Sequence, residues 1–153
     1  MKTTLIVLGA LLFATSAQAQ SRRNQPTGPV LAESNSTMLV KMTSDVSSTT
    51  SKVGDVISGV LIDPTYERGD RVEGHVTRAD HAILNFTFDT LYHGGQKYEM
   101  QSVIISITSS HGNEGMDDLD QRLRVEGRGF ITYGTRTELH EGAEVRITAW
   151  KKK

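Results

Sequence analysis

Five histidines, His75, His81, His93, His111 and His140, are the side chains best suited to chemistry near neutral pH. Imidazole titrates in that range and is also a common nitrogen ligand for metals. Asp80, Asp89 and the acids between Glu114 and Asp120 supply the oxygen partners that such a site needs. A metal site usually shows in its spacing, as His-x-x-x-His on a helix or His-x-His on a strand. None of the five histidines stands in either relation to another. His75 follows Glu73 by two residues, which puts both on one face of a strand, and His81 comes one turn later. A metal-dependent hydrolase built on this chain would rest on His75 or His81 with those carboxylates. Otherwise the histidines read as surface residues.

Other chemistries are less well supplied. Asp117-Asp118-Leu119-Asp120 is rich in oxygen but lacks the alternating ligands, central glycine and closing glutamate of a calcium loop. Glu73 and Asp89 can be nominated as an acid–base pair, but no pattern singles them out. Arg68-Gly69-Asp70 spells an adhesion tripeptide, although Gly69-Asp70 reads first as a turn. The chain has no Gly-x-Ser-x-Gly elbow, no phosphate-cradling Gly-Lys loop and no Gly-x-Gly-x-x-Gly fingerprint. Trp150, Tyr92, Tyr98 and Tyr133 suit a ligand platform or the plugging of a barrel end. Asn35-Ser36-Thr37 and Asn85-Phe86-Thr87 are glycosylation sequons, relevant only to a eukaryotic source. The expectation is a non-enzymatic protein with no catalytic residue, metal ligand or bound cofactor.

The elements that would position these residues are strands. From Ser36 onward the chain alternates short runs rich in Val, Ile, Thr, Phe and Tyr with glycine-bearing turns. Met38, Val40 and Met42 share one strand face, as do Val72, Gly74 and Val76, and Leu84, Phe86 and Phe88. Val56 to Ile62 is more continuously apolar and reads as buried on both faces. His93-Gly94-Gly95-Gln96 predicts a two-residue hairpin turn, because Gly-Gly tolerates the positive φ that primed turns require. After Tyr98 and Met100, the apolar phase switches to Val103, Ile105 and Ile107, which predicts a bulge near Ser102 or burial on both faces. Residues 109 to 121 read as a polar loop. Leu123 to Val125 and Phe130 to Tyr133 read as short strands, and Ala143 to Ala149 as the closing strand. The expected fold is all-β, a small barrel or sandwich of seven or eight mostly antiparallel strands.

Three segments echo one another. Lys52-Val53-Gly54-Asp55-Val56-Ile57, Glu67-Arg68-Gly69-Asp70-Arg71-Val72 and His140-Glu141-Gly142-Ala143-Glu144-Val145 each place an apolar residue three positions after a glycine. Each reads as a turn feeding a strand.

The remaining sequence speaks of destination. Lys2, the apolar run Leu5 to Phe13 and Ala17-Gln18-Ala19 make a secretory signal peptide over residues 1–19. Gln20 to Asn35 reads as a disordered tether, with Pro26 and Pro29 against helix. The β-domain spans 36–150, and residues 151–153 are a basic tail. With 153 residues and no cysteine, the chain fits one domain without a disulfide scaffold, thiol nucleophile or lipoprotein anchor. Its 17 Lys and Arg against 18 Asp and Glu argue against nucleic acid as a partner. No segment beyond the leader is apolar enough to span a bilayer. An exported domain without disulfides points to a bacterial periplasm or secretion to the exterior.

Asp45-Val46-Ser47-Ser48-Thr49-Thr50-Ser51-Lys52-Val53-Gly54-Asp55, followed by Glu67-Arg68-Gly69-Asp70-Arg71-Val72-Glu73-Gly74-His75-Val76, resembles a group of small exported bacterial β-domains of unknown function. The resemblance covers roughly residues 37 to 107, with a weaker match over 139 to 149. More distantly, the chain resembles the β-barrel domain of the outer-membrane core component of type IV secretion and conjugation channels, without their helical antenna. The resemblance implies a fold and a compartment, and carries over no catalytic residue. The function expected is binding to an envelope protein or surface component, or a structural role in the bacterial cell envelope. A secretion-apparatus component is the alternative.

Overall fold

The structure, a computed structural model, describes residues 35–109, 123–126, 129–132 and 136–153. The expected signal peptide, nearly all of the expected tether, most of the expected polar loop with His111 and Asp117 to Asp120, and Tyr133 lie outside the described residues.

Among the described residues ten strands follow one another: β1 (Ser36–Met42), β2 (Val46–Ser47), β3 (Val56–Asp63), β4 (Arg71–Asp80), β5 (Ile83–His93), β6 (Gln96–Ser109), β7 (Leu123–Glu126), β8 (Gly129–Thr132), β9 (Glu138–Leu139) and β10 (Glu144–Lys151). A 3₁₀ turn, Thr65–Glu67, joins β3 to β4. The eight-stranded sheet runs β4-β3-β1-β10-β6-β5-β8-β7, and β4 also pairs with β5. That last pairing closes six antiparallel strands, β4, β3, β1, β10, β6 and β5, into a barrel. β7 and β8 extend from the far part of β5. β2 and β9 form a separate two-stranded sheet. The choice between barrel and sandwich, open in the sequence, falls to the barrel.

Alternation builds the interior. Met38, Val40, Met42, Val72, Val76, Leu84, Phe86 and Phe88 are all buried. From β10, the buried residues are Val145, Ile147 and Ala149. Phe86 and Phe88 meet edge to face with ring centroids 5.7 Å apart, the arrangement that the aromatic quadrupole favours. Burying such side chains is the main favourable term in folding.

Two sequence expectations are corrected. β3 is not buried on both faces: Ile57, Gly59 and Leu61 point inward, while Val56 is 73% exposed. Among the described residues the barrel wall is a single layer, and the outer face of β3 is exposed or only partly covered. In β6 the apolar phase holds through Met100, Ser102 and Ile104, and the shift comes later than Ser102. Ile104 pairs with Ile147 and Ser106 with Arg146, leaving Ile105 as the extra residue. Val103 and Ile105 therefore face outward, and Ile107 returns to pack against the core.

The three echoing segments share one backbone design. Gly54, Gly69 and Gly142 have φ of 95°, 94° and 93°. In each turn the residue after the glycine donates its N–H to the carbonyl two residues before the glycine: Asp55 to Lys52 at 3.0 Å, Asp70 to Glu67 at 3.0 Å, and Ala143 to His140 at 2.9 Å. Arg68, with φ −60° and ψ 127°, completes a type II turn. Each glycine N–H also donates to a carbonyl on a neighbouring strand, of Val76, Leu61 or Met42, at 2.8 Å. Those three residues return the bond to the carbonyls of Asp55, Asp70 and Ala143. The repeated sequence pattern is thus a repeated strand-entry device. The expected hairpin is also present, with Gly94 and Gly95 both at positive φ and His93 opposite Gln96.

The antiparallel order sorts the turns between two ends. The 3₁₀ turn, the Gly94-Gly95 turn, the start of β1 and the end of β10 lie at one end. At the other, β2 and β9 meet the β4–β5 turn, where Ser48 Oγ donates to the His81 carbonyl and Thr137 Oγ1 to that of Ala82.

Candidate functional site

Two features of the barrel bring chemically active side chains together. The first sits at the end holding the 3₁₀ turn. β4 and β5 are paired so that Arg71 faces Tyr92, which places Asp70 and His93 side by side just outside the ladder. The type II turn then folds Glu67 back towards them. His93 Nδ1 lies 2.6 Å from Asp70 Oδ2 and 2.9 Å from Glu67 Oε2. The Glu67 side chain is 1% exposed, and Asp70 and His93 are 18% and 25% exposed. The support is backbone: Gly69 donates to Leu61 and Leu61 to Asp70, both at 2.8 Å. Arg71, the nearest cation in sequence, turns outward to Glu73 at 3.2 Å and stacks 4.3 Å over Tyr92. The His93 ring meets Tyr98 edge-on, centroids 6.4 Å apart. Among the described residues this is the one group of three ligating side chains that converges.

The hydrogen bond with Asp70 raises the His93 pKa above its ordinary value of 6.5; burial opposes the shift, and the charges of Asp70 and Glu67 add to it. A raised folded pKa means stability that is fully present below the unfolded value and lost as pH rises through the folded one. Wild type should therefore exceed His93→Gln most in unfolding free energy below pH 6.5. The gap should narrow as pH rises through the raised folded pKa. Denaturant melts across that range, in chelator, check this; a gap constant with pH would remove the charge from the account.

The second feature is an outer groove of about 590 Å³ where β5 and β6 part. Their ladder runs only from Thr90–Glu99 to His93–Gln96. Beyond it β6 continues along β10, and β5 goes on to meet β8. Ser102 spans the opening: its hydroxyl accepts from the Phe88 N–H and donates to the Phe88 carbonyl, both at 2.9 Å. His75 and Asp89 form one wall, 2.7 Å apart. Asp89 projects there because it is the extra residue between the pairs Glu73–Thr90 and Gly74–Phe88. Trp150 forms the other wall, its indole N–H donating to Gln101 at 2.7 Å. Lys152 and Glu99 stand 3.7 Å apart on the rim, and Val103, half exposed, lies between.

No protein-family model matches the chain, and no curated protein does. The reading of the site therefore rests on its geometry.

The residues singled out in the sequence are distributed as follows. His75 enters the groove, but His81 does not join it; 90% exposed, it meets Asp80 at 2.6 Å, and this hydrogen bond lowers the Asp80 pKa against a small opposing effect of burial. His140 lies 3.9 Å from Asp45. Glu73 and Asp89 take separate partners, since Glu73 accepts from the Tyr92 hydroxyl at 2.8 Å and Asp89 from His75. Tyr98 packs against the core and donates to Gln96 at 2.8 Å. The Arg68-Gly69-Asp70 tripeptide turns its carboxylate towards His93. Glu67 was not among the sequence candidates, and His93 was not joined to Asp70. The signal was there in the turn at Gly69 and the hairpin at Gly94-Gly95, but only the β4–β5 register relates the two.

Proposed function

We propose that this chain is a non-catalytic binding domain exported to the bacterial envelope, and that it engages a protein partner through the outer groove. The observation that supports this is the opening between β5 and β6, which displays Trp150 and Val103 between charges of both signs. An aromatic and an aliphatic anchor inside a polar rim is the usual anatomy of a protein-binding patch. Ile105, 45% exposed on the same face of β6, extends the apolar strip. Lys97 and Lys152 beside Asp89 and Glu99 favour an extended polypeptide with one apolar side chain flanked by both charge signs. The leader over residues 1–19 supplies the route, and among the described residues no helix is long and apolar enough to cross a membrane.

The test is cross-linking capture of the full-length tagged chain from its native envelope fraction, identified by mass spectrometry. One reproducible partner should be recovered with wild type and at least about tenfold less with Trp150→Ala, the loss typical of an aromatic anchor. Equal recovery with the variant removes the groove from the reading. Recovery of the chain in the cytosol with its leader uncleaved removes the envelope.

A further inference from the structure

The cluster at the 3₁₀-turn end offers a site that the groove does not use. Glu67 and Asp70 from one turn and His93 from the end of β5 approach one point, and both carboxylates converge on the same ring nitrogen. Each contributes one ligand atom, and these atoms all lie within 4.8 Å of one another. Metal–ligand bonds of about 2.1 Å put octahedral neighbours about 3.0 Å apart and tetrahedral neighbours about 3.4 Å apart. The observed nitrogen–oxygen separations of 2.6 and 2.9 Å fall just short of the octahedral spacing. The two nitrogen–oxygen separations thus need to widen by only a few tenths of an ångström, and the two carboxylate oxygens lie within 4.8 Å of each other.

We propose that Glu67, Asp70 and His93 bind one first-row divalent transition ion of the Zn²⁺ class. One imidazole nitrogen with two carboxylates is a donor set suited to such ions, whereas Ca²⁺ and Mg²⁺ prefer all-oxygen sites. The ion bonds to the Nδ1 lone pair of the neutral imidazole, whose remaining proton sits on Nε2, and the carboxylates contribute the charge. The partial exposure of Asp70 and His93 opens an entry path and leaves room for water to complete the coordination. Glu67, buried and held by the turn, anchors the inner side. The bond ladder among Leu61, Gly69 and Asp70 holds the ligands close together before an ion arrives.

Calorimetric titration of the full-length, chelator-treated chain with Zn²⁺ at about pH 7.5 tests this. One ion per chain is expected, weakened at least about tenfold in Asp70→Asn and in His93→Gln. Absence of binding by Zn²⁺, Mn²⁺ and Co²⁺ up to about 1 mM overturns the proposal. Binding unchanged in both variants also overturns it, because the ion then sits on other residues. Should the variants fail to fold, histidine ¹⁵N spectra of wild type decide. Zn²⁺ must shift the His93 Nδ1 signal, and shifts confined to other histidines overturn the site. None of these outcomes bears on the groove, so the two readings stand or fall separately.

Discussion

Gly74→Ala should leave little folded protein. An added Cβ at this position would lie 1.8 Å from the Thr87 carbonyl oxygen and 2.7 Å from Phe88 Cα. Both are backbone atoms of β5, so no side chain can rotate away. Gly74 sits at the register shift that places Asp89 outside the ladder, and the missing side chain lets β4 and β5 approach as the wall bends. Relief would require separating two strands that carry Val72, Val76, Leu84, Phe86 and Phe88. The expected loss exceeds about 4 kcal/mol, in the range reserved for severe backbone or core disruption. Gly59→Ala is the informative comparison. Its Cβ would meet Val40 Cγ1 at 2.4 Å and the Lys41 carbonyl oxygen at 3.0 Å. The nearest obstacle there is a side chain, which can yield, and the cost should be about 1–3 kcal/mol. Urea melts of both variants check the ranking; a Gly74→Ala protein as stable as Gly59→Ala would contradict the close approach of β4 and β5.

Ser102→Ala should cost about 2–5 kcal/mol, large for the loss of one oxygen. Most buried serines make a single replaceable bond, but Ser102 serves both backbone groups of Phe88 where the β5–β6 ladder has ended. Removing the hydroxyl strands a buried N–H and a buried C=O, each worth about 1–3 kcal/mol in desolvation. Thr87 Oγ1 donates to the Ser102 carbonyl at 3.0 Å and lies 3.5 Å from the Phe88 carbonyl, so it can serve that carbonyl fully only by giving up the shorter bond. Ser106→Ala, four residues along the same strand, should stay within about 0.5 kcal/mol. Chemical denaturation gives both values. Amide exchange adds a local readout: the Phe88 N–H should lose protection in Ser102→Ala ahead of its neighbours. Unchanged protection at Phe88 would show that backbone pairing, and not the hydroxyl, holds the opening together.

Much of the barrel was legible because period-two alternation is a direct imprint of a one-sided wall. Met38, Val40 and Met42, then Val72, Gly74 and Val76, were readable as inward faces from spacing alone. Gly94-Gly95 was readable as a hairpin because the turn demands positive φ. The bulge in β6 was misplaced, since an outward Val103 and Ile105 look identical in sequence to an inward pair. Burial of β3 was overestimated for the same reason: Val56 is apolar, and only the single-layer wall reveals that it faces outward. The Glu67–Asp70–His93 cluster lay beyond local reading. Asp70 and His93 are 23 residues apart, and their contact follows from the β4–β5 register, in which the extra residues Thr77 and Asp89, one on each strand, cancel. The groove was hidden too, because it arises from a ladder that stops at Thr90 rather than from any motif.

The order of strands round the barrel sets when it can form. β10, the last strand in sequence, sits between β1 and β6, so Ser36 pairs with Ala149 and Glu144 with Ser109. Until residues 144–151 are available, β1 and β6 each present an open edge and the wall has a gap one strand wide. Such pairing across the length of the chain carries the entropy of closing the largest loop, and it comes late. A chain still emerging from the ribosome therefore has no closed barrel to settle into, and closure waits for β10.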